Sequence, residues 1–151
     1  TLTHQKVVRD LCDTLGLSPD TKTPTRQEVK HIGESLVKAM QMAQKGADPA
    51  AAQLVAAECV VHAETKDHAN WELLGKVAEA ATGDLGKALK AAHEAVEKQE
   101  DHHLYHTKGW SRELAIEALG MPAVLPPPEE VKKVETAIGA SRAEQQREAM
   151  L

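Results

Sequence analysis

The chain has 151 residues, enough for a single core, and its 18 basic and 23 acidic residues give a formal charge of −5. Acids and bases are interleaved with no basic stripe, which argues against nucleic acid as a partner, and no apolar run reaches the roughly 18 residues of a membrane span. Phe is absent and aromatic residues make up only 2%, whereas Ala, Leu, Glu and Lys dominate, so the expected class is all-α and the expected setting cytoplasmic.

Residues 3–16 read as a short helix with Val7, Val8, Leu11 and Leu15 on one side, stopped by Gly16. Ser18-Pro19-Asp20 and Thr23-Pro24 mark a loop. Thr25-Arg26-Gln27-Glu28 has the form of a capping box and predicts a helix to about Lys45, with Val29, Ile32, Leu36, Met40 and Ala43 as its apolar face. Asp48-Pro49 supplies an N-cap followed by proline at the first helical position, opening a helix to about Ala81. Gly83 then breaks the chain and Asp84 is the expected cap of a fourth helix running to about residue 119. Its inward line is expected at Leu85, Leu89, Ala92, Val96, His103, Trp110 and Leu114, with Gly109 a point of loosening or kinking. Gly120-Met121-Pro122 ends it, and Pro126-Pro127-Pro128 leads into a last helix over about 128–149 with Val131, Val134 and Ile138 apolar.

The third and fourth helices would have about 33–35 residues each, or ~50 Å at 1.5 Å per residue. A long antiparallel hairpin of that length belongs to a four-helix-bundle-like fold. The expected organisation is one helical domain over 1–151, with the core bundle at about 25–119 and a C-terminal linker and helix at 120–151. No signal peptide is visible; the first residue is Thr1 rather than Met, which leaves room for residues upstream. Cys12 and Cys59 stand apart and read as two reduced thiols.

The chemistry-bearing signal is Glu100-Asp101-His102-His103, in a chain with eight histidines. A Glu and a His three apart share one face of a helix. Glu100 and His103 fall on the inward line, where a charge needs a partner, water or a metal. If the hairpin turns near 82–83, Glu58 faces His106, His62 faces His103, and Glu64 faces Glu100 to Asp101. The facing helix has Val55, Cys59, His62, Ala69, Leu73 and Val77 as its expected inner line. The candidate metal ligands are therefore Glu58, His62, Glu64, Glu100, His103 and His106, a mixture of oxygen and imidazole donors suited to iron, manganese, copper or zinc. The bland alternative is a hydrogen-bonded polar layer. His4 lies too near the chain start to be placed, and Tyr105 is a candidate redox neighbour.

On Glu100-x-x-His103, on Glu58 or Glu64 with His62 opposite, and on the paired long helices, the chain resembles the ferritin-like superfamily, the ferritin and rubrerythrin type of di-iron helical bundle. The resemblance covers roughly residues 25–119. It implies a four-helix bundle with a metal centre, and an iron- or manganese-dependent oxidoreductase or a metal store. It departs from the family in the short Gly46-Ala47-Asp48-Pro49 turn, where ferritins have a long crossover, and in lacking a second clear inward E-x-x-H pair. Glu135 or Glu144 of the last helix could complete a set. Hemerythrin-like spacings occur at His93 to Glu97, His102 to His106 and His62 to Asp67, but in the wrong order. The contrasting expectation is a non-catalytic helical assembly protein, a homo-oligomer or one docking a partner protein through its C-terminal helix. No nucleophile elbow or phosphate loop supports a hydrolase.

Overall fold

The computed structural model describes residues 2–151. It is all-α: among the described residues there are six helices and no strand. They are α1 (Leu2–Thr14), α2 (Pro24–Gly46), α3 (Pro49–Ala80), α4 (Gly83–Ala118), α5 (Pro128–Lys132) and α6 (Thr136–Glu148). No described helix is long and apolar enough to cross a membrane.

The long hairpin of α3 and α4 is the frame of the molecule. α2 packs along α3, α1 packs on α4, and α5 and α6 close over the far end of α4. Asp48 caps α3 as the sequence implies, its carboxylate accepting from the Ala50 and Ala51 N–H groups. The start of α2 is two residues earlier than the capping box suggests. The same Thr-Pro logic operates there: Thr23 Oγ1 accepts from Arg26 N–H at 3.1 Å and Pro24 takes the first helical position. At the hairpin turn the cap is Thr82, not Asp84, which lies in the first turn where its charge meets the helix dipole. Gly83 has φ +67°, so a side chain there would be strained.

The core is built mainly on α4, whose Leu89, Ala92, Val96, Leu104 and Leu114 are buried, with Cys59 and Trp71 from α3. Cys12 and Cys59 are both free thiols. The expected inner line of α3 is corrected: His62 and Ala69 are exposed, Leu73 is 64% exposed, and Trp71 points inward instead. The apolar residues of α3 are spread round the helix rather than gathered on one face, since it serves α2 on one flank and α4 on another, so its pattern does not fix one inward stripe.

Two further expectations change at the C-terminal end. α4 runs unbroken through Gly109, which is buried; a Cβ there would lie 2.7 Å from Glu129 Oε2. The glycine admits a carboxylate rather than bending the helix. The last helix is two helices, because Lys133 adopts the left-handed conformation at φ 49° and turns α6 back over α5. The buried face of α6 is Gly139, Ala143 and Arg147, while Val131 and Ile138, the expected apolar positions, are 58% and 46% exposed. A Cβ on Gly139 would sit 2.1 Å from Glu129 Cδ, so the two short helices cross on that glycine.

Candidate metal centre

Three helices bring ionisable groups to one point. α3 presents Glu64 and Asp67, one helical turn apart; α4 presents Glu100 and His103, with the same spacing; and α1 presents His4. Ligand atoms of His4, Glu100 and His103 lie within 4.8 Å of one another, and so do those of Glu64, Asp67 and Glu100. Glu100 belongs to both groups. Ligands of one transition metal at 2.0–2.2 Å stand within about 4.4 Å of each other, so small side-chain movements would close either set.

Glu100 is 1% exposed and His4 6%. His4 Nδ1 contacts Glu100 Oε1, and His4 Nε2 lies 2.9 Å from Gln99 Oε1. An amide oxygen only accepts, so Nε2 donates to Gln99, and Nδ1 is the ring atom turned to the cluster. A ring nitrogen and a carboxylate oxygen in such contact hold a proton or a cation between them. Both Glu100 oxygens are buried without a hydrogen-bond partner among the described residues. His103 Nδ1 is 3.8 Å from Glu100 and 3.9 Å from Glu64. The rings of His4 and His103 lie 5.4 Å apart, and buried Trp71 packs edge-on to His4.

The titration behaviour follows from this crowding. Burial, then the charge of Asp67, raises the Glu100 carboxyl above its ordinary value, and the same two causes raise Glu64. Burial, then His4, lowers His103, so its imidazole is held neutral. Without a cation the crowded carboxyls of Glu64 and Glu100 are therefore harder to ionise, and His103 favours the neutral form that ligates a metal.

A second polar cluster is fully satisfied. Glu113 and Glu129 are each 0% exposed. Arg112 bonds Glu129 with both terminal nitrogens at 2.5 and 3.1 Å, and Glu113 through Nε at 2.7 Å. Glu113 also accepts from Arg147 Nη2 at 2.6 Å and the Val124 N–H at 2.9 Å. Burial alone would raise Glu113, but the Val124 N–H and the two guanidiniums outweigh it and hold the carboxyl below its ordinary value. This network fixes the C-terminal segment to α4 and needs no ligand.

The residues expected from the sequence divide accordingly. Glu64, Glu100 and His103 meet at the cluster. Glu58 and His62 are exposed and outside it; His62 lines a groove between α2 and α3 with Val29, Ile32 and Lys66. His106 lies 3.9 Å from Glu130 beside Trp110, at the C-terminal network. Tyr105 lines a separate cleft with His102, Lys133 and Glu135. His4 and Asp67 were not among the expected ligands. A sequence signal for Asp67 exists: it precedes inward-facing Trp71 by one helical turn. For His4 the only signal is a histidine one turn before Val8.

Comparison of the chain with family models, curated proteins and solved structures gives no match in any of the three.

Proposed function

We infer that the protein is a divalent transition-metal-binding helical bundle whose ligands are His4, His103 and Glu100, with Glu64 and Asp67 in reach of the same or an adjoining ion. The observation that carries this is the contrast among buried glutamates: Glu113 and Glu129 are held by arginine guanidiniums, whereas Glu100 makes no hydrogen bond through either oxygen among the described residues and meets only imidazoles and other carboxylates. Leaving a buried carboxylate in that state is costly, and an ion removes the cost. Two imidazoles with carboxylates suit iron, manganese or zinc, and a redox-active ion there would supply the oxidoreductase or storage chemistry of a ferritin-like bundle. Gln99 orients His4 for ligation through the ring nitrogen that does not face the cluster.

The test is calorimetric titration of chelator-treated protein with Zn(II), Mn(II) and, without oxygen, Fe(II). Near-stoichiometric binding is expected in the wild type and in Glu58→Gln or His62→Ala, and at least about tenfold weaker binding in Glu100→Gln. Equal affinity in Glu100→Gln, or loss confined to the Glu58 and His62 variants, contradicts the assignment.

A second reading, a non-catalytic assembly protein with a structural His/Glu layer, is favoured by α2. That helix buries none of its side chains, and Val29, Ile32, Val37 and Met42 are 39–64% exposed. Two copies meeting through α2 would cover them. Sedimentation of the metal-free protein as a dimer that Ile32→Glu dissociates supports it; a monomer at all concentrations does not.

A further inference from the structure

The cluster is the floor of a half-open cleft of about 390 Å³, within the range of sites for small molecules. One wall is α1, with Gln5, Val8 and Arg9; the other is the α1–α2 loop and the start of α2, with Pro19, Asp20 and Arg26. Arg26 is engaged by Asp20 at 3.4 Å and by the Thr21 carbonyl at 3.5 Å. Arg9 makes no ion pair and no side-chain hydrogen bond among the described residues. Gln5, one turn before it on the same wall, adds a neutral amide donor.

Resting on the metal reading above, we propose that this cleft takes a small oxyanion-bearing molecule, a carboxylate or a phosphoryl compound, held at one end by the ion and at the other by Arg9. The electrostatics give it a condition. Without an ion, Glu64, Asp67 and Glu100 make the floor repel anions. A divalent cation reverses the sign at the floor and leaves open coordination positions, since the three helices supply few donors to either set. Arg9 is then the unpaired cation at the rim, and a guanidinium matches the planar or tetrahedral face of an oxyanion with two N–H groups. Ion and anion binding are coupled, so each raises the affinity of the other by one common factor.

The experiment uses the full chain loaded with Co(II), whose visible absorption reports its ligands. Succinate and inorganic phosphate are titrated at constant ionic strength into wild type, Arg9→Gln and, as an equal change of charge outside the cleft, Lys6→Gln. A saturable spectral change is expected in the wild type and in Lys6→Gln. In Arg9→Gln the cobalt stoichiometry should be unchanged and the half-saturating concentration about tenfold higher or more. A response to succinate alone assigns the carboxylate class, and a response to phosphate alone the phosphoryl class. Cobalt binding with no saturable response to either, or with Arg9→Gln and Lys6→Gln indistinguishable, overturns the anion site and leaves the metal site standing. Failure of the wild type to bind cobalt removes both.

Discussion

Glu100, Glu113 and Glu129 sit in the same helical core at nearly zero exposure, yet only the last two are neutralised by arginine. For Glu129, Arg112 is the partner, and removing Glu129 takes two of that guanidinium's three carboxylate hydrogen bonds and leaves Glu113 alone to pair it. Glu129→Ala is therefore expected to destabilise the protein by about 3 kcal/mol in urea melts, with Arg112 exposed to a cavity. Glu100 behaves in the opposite way. In chelator-treated protein, Glu100→Gln should be neutral or stabilising by about 1 kcal/mol, since it removes a buried acid that makes no hydrogen bond among the described residues. The sign of the pH dependence follows from the raised pKa. The folded state holds the Glu64 and Glu100 protons more tightly than the unfolded state does. Metal-free protein thus loses stability from these groups as pH rises from 4.5 through the raised values. His103, lowered from 6.5, adds a loss as pH falls below that value. The advantage of Glu100→Gln over wild type should accordingly be larger at pH 8 than at pH 5, measured by urea melts at both. An equal difference at the two pH values would contradict the raised Glu100 pKa.

At the scale of elements, α1 is the piece most dependent on the site. It has 13 residues, a marginal length for a helix alone, and His4 is its one buried residue among those described. His4→Ala should release it, seen as faster tryptic cleavage at Lys6 and Arg9, while metal should slow cleavage in the wild type only. The helices themselves were legible in the sequence, because Pro24, Pro49, Gly83 and Gly120 punctuate them and tertiary packing does not override such signals. The register between α3 and α4 was less so. Glu64 rather than His62 faces His103, and His68 rather than Glu64 faces Asp101. Helical side chains tilt toward the N-terminus by about one residue, and in an antiparallel pair the two tilts add. The shift of two to four residues takes His62 off the site and brings Asp67 to it, while Glu64 lies by Glu100 as expected. The C-terminal pair was misread for another reason. Its buried face is glycine, alanine and arginine, and its attachment is ionic, so an apolar pattern pointed to the exposed side.

For the whole molecule, the centre joins helices that otherwise touch in pairs. α1 meets α4, α4 meets α3, and the cluster is where all three contribute a side chain. An ion there would tie the N-terminal helix to the hairpin, and its binding free energy would appear as folding stability. At a free metal concentration about 100 times the Kd, the gain is about 2.7 kcal/mol, or a rise in Tm of about 5–10 °C for a chain of this size, readable by calorimetry. The most direct test is an anomalous difference map from crystals soaked in Mn(II) or Zn(II). A peak is expected between α1, α3 and α4, within about 2.3 Å of a nitrogen of His4 or His103 and of a Glu100 oxygen. A map with no peak there, or with its peak at Glu58 and His62, would contradict the account.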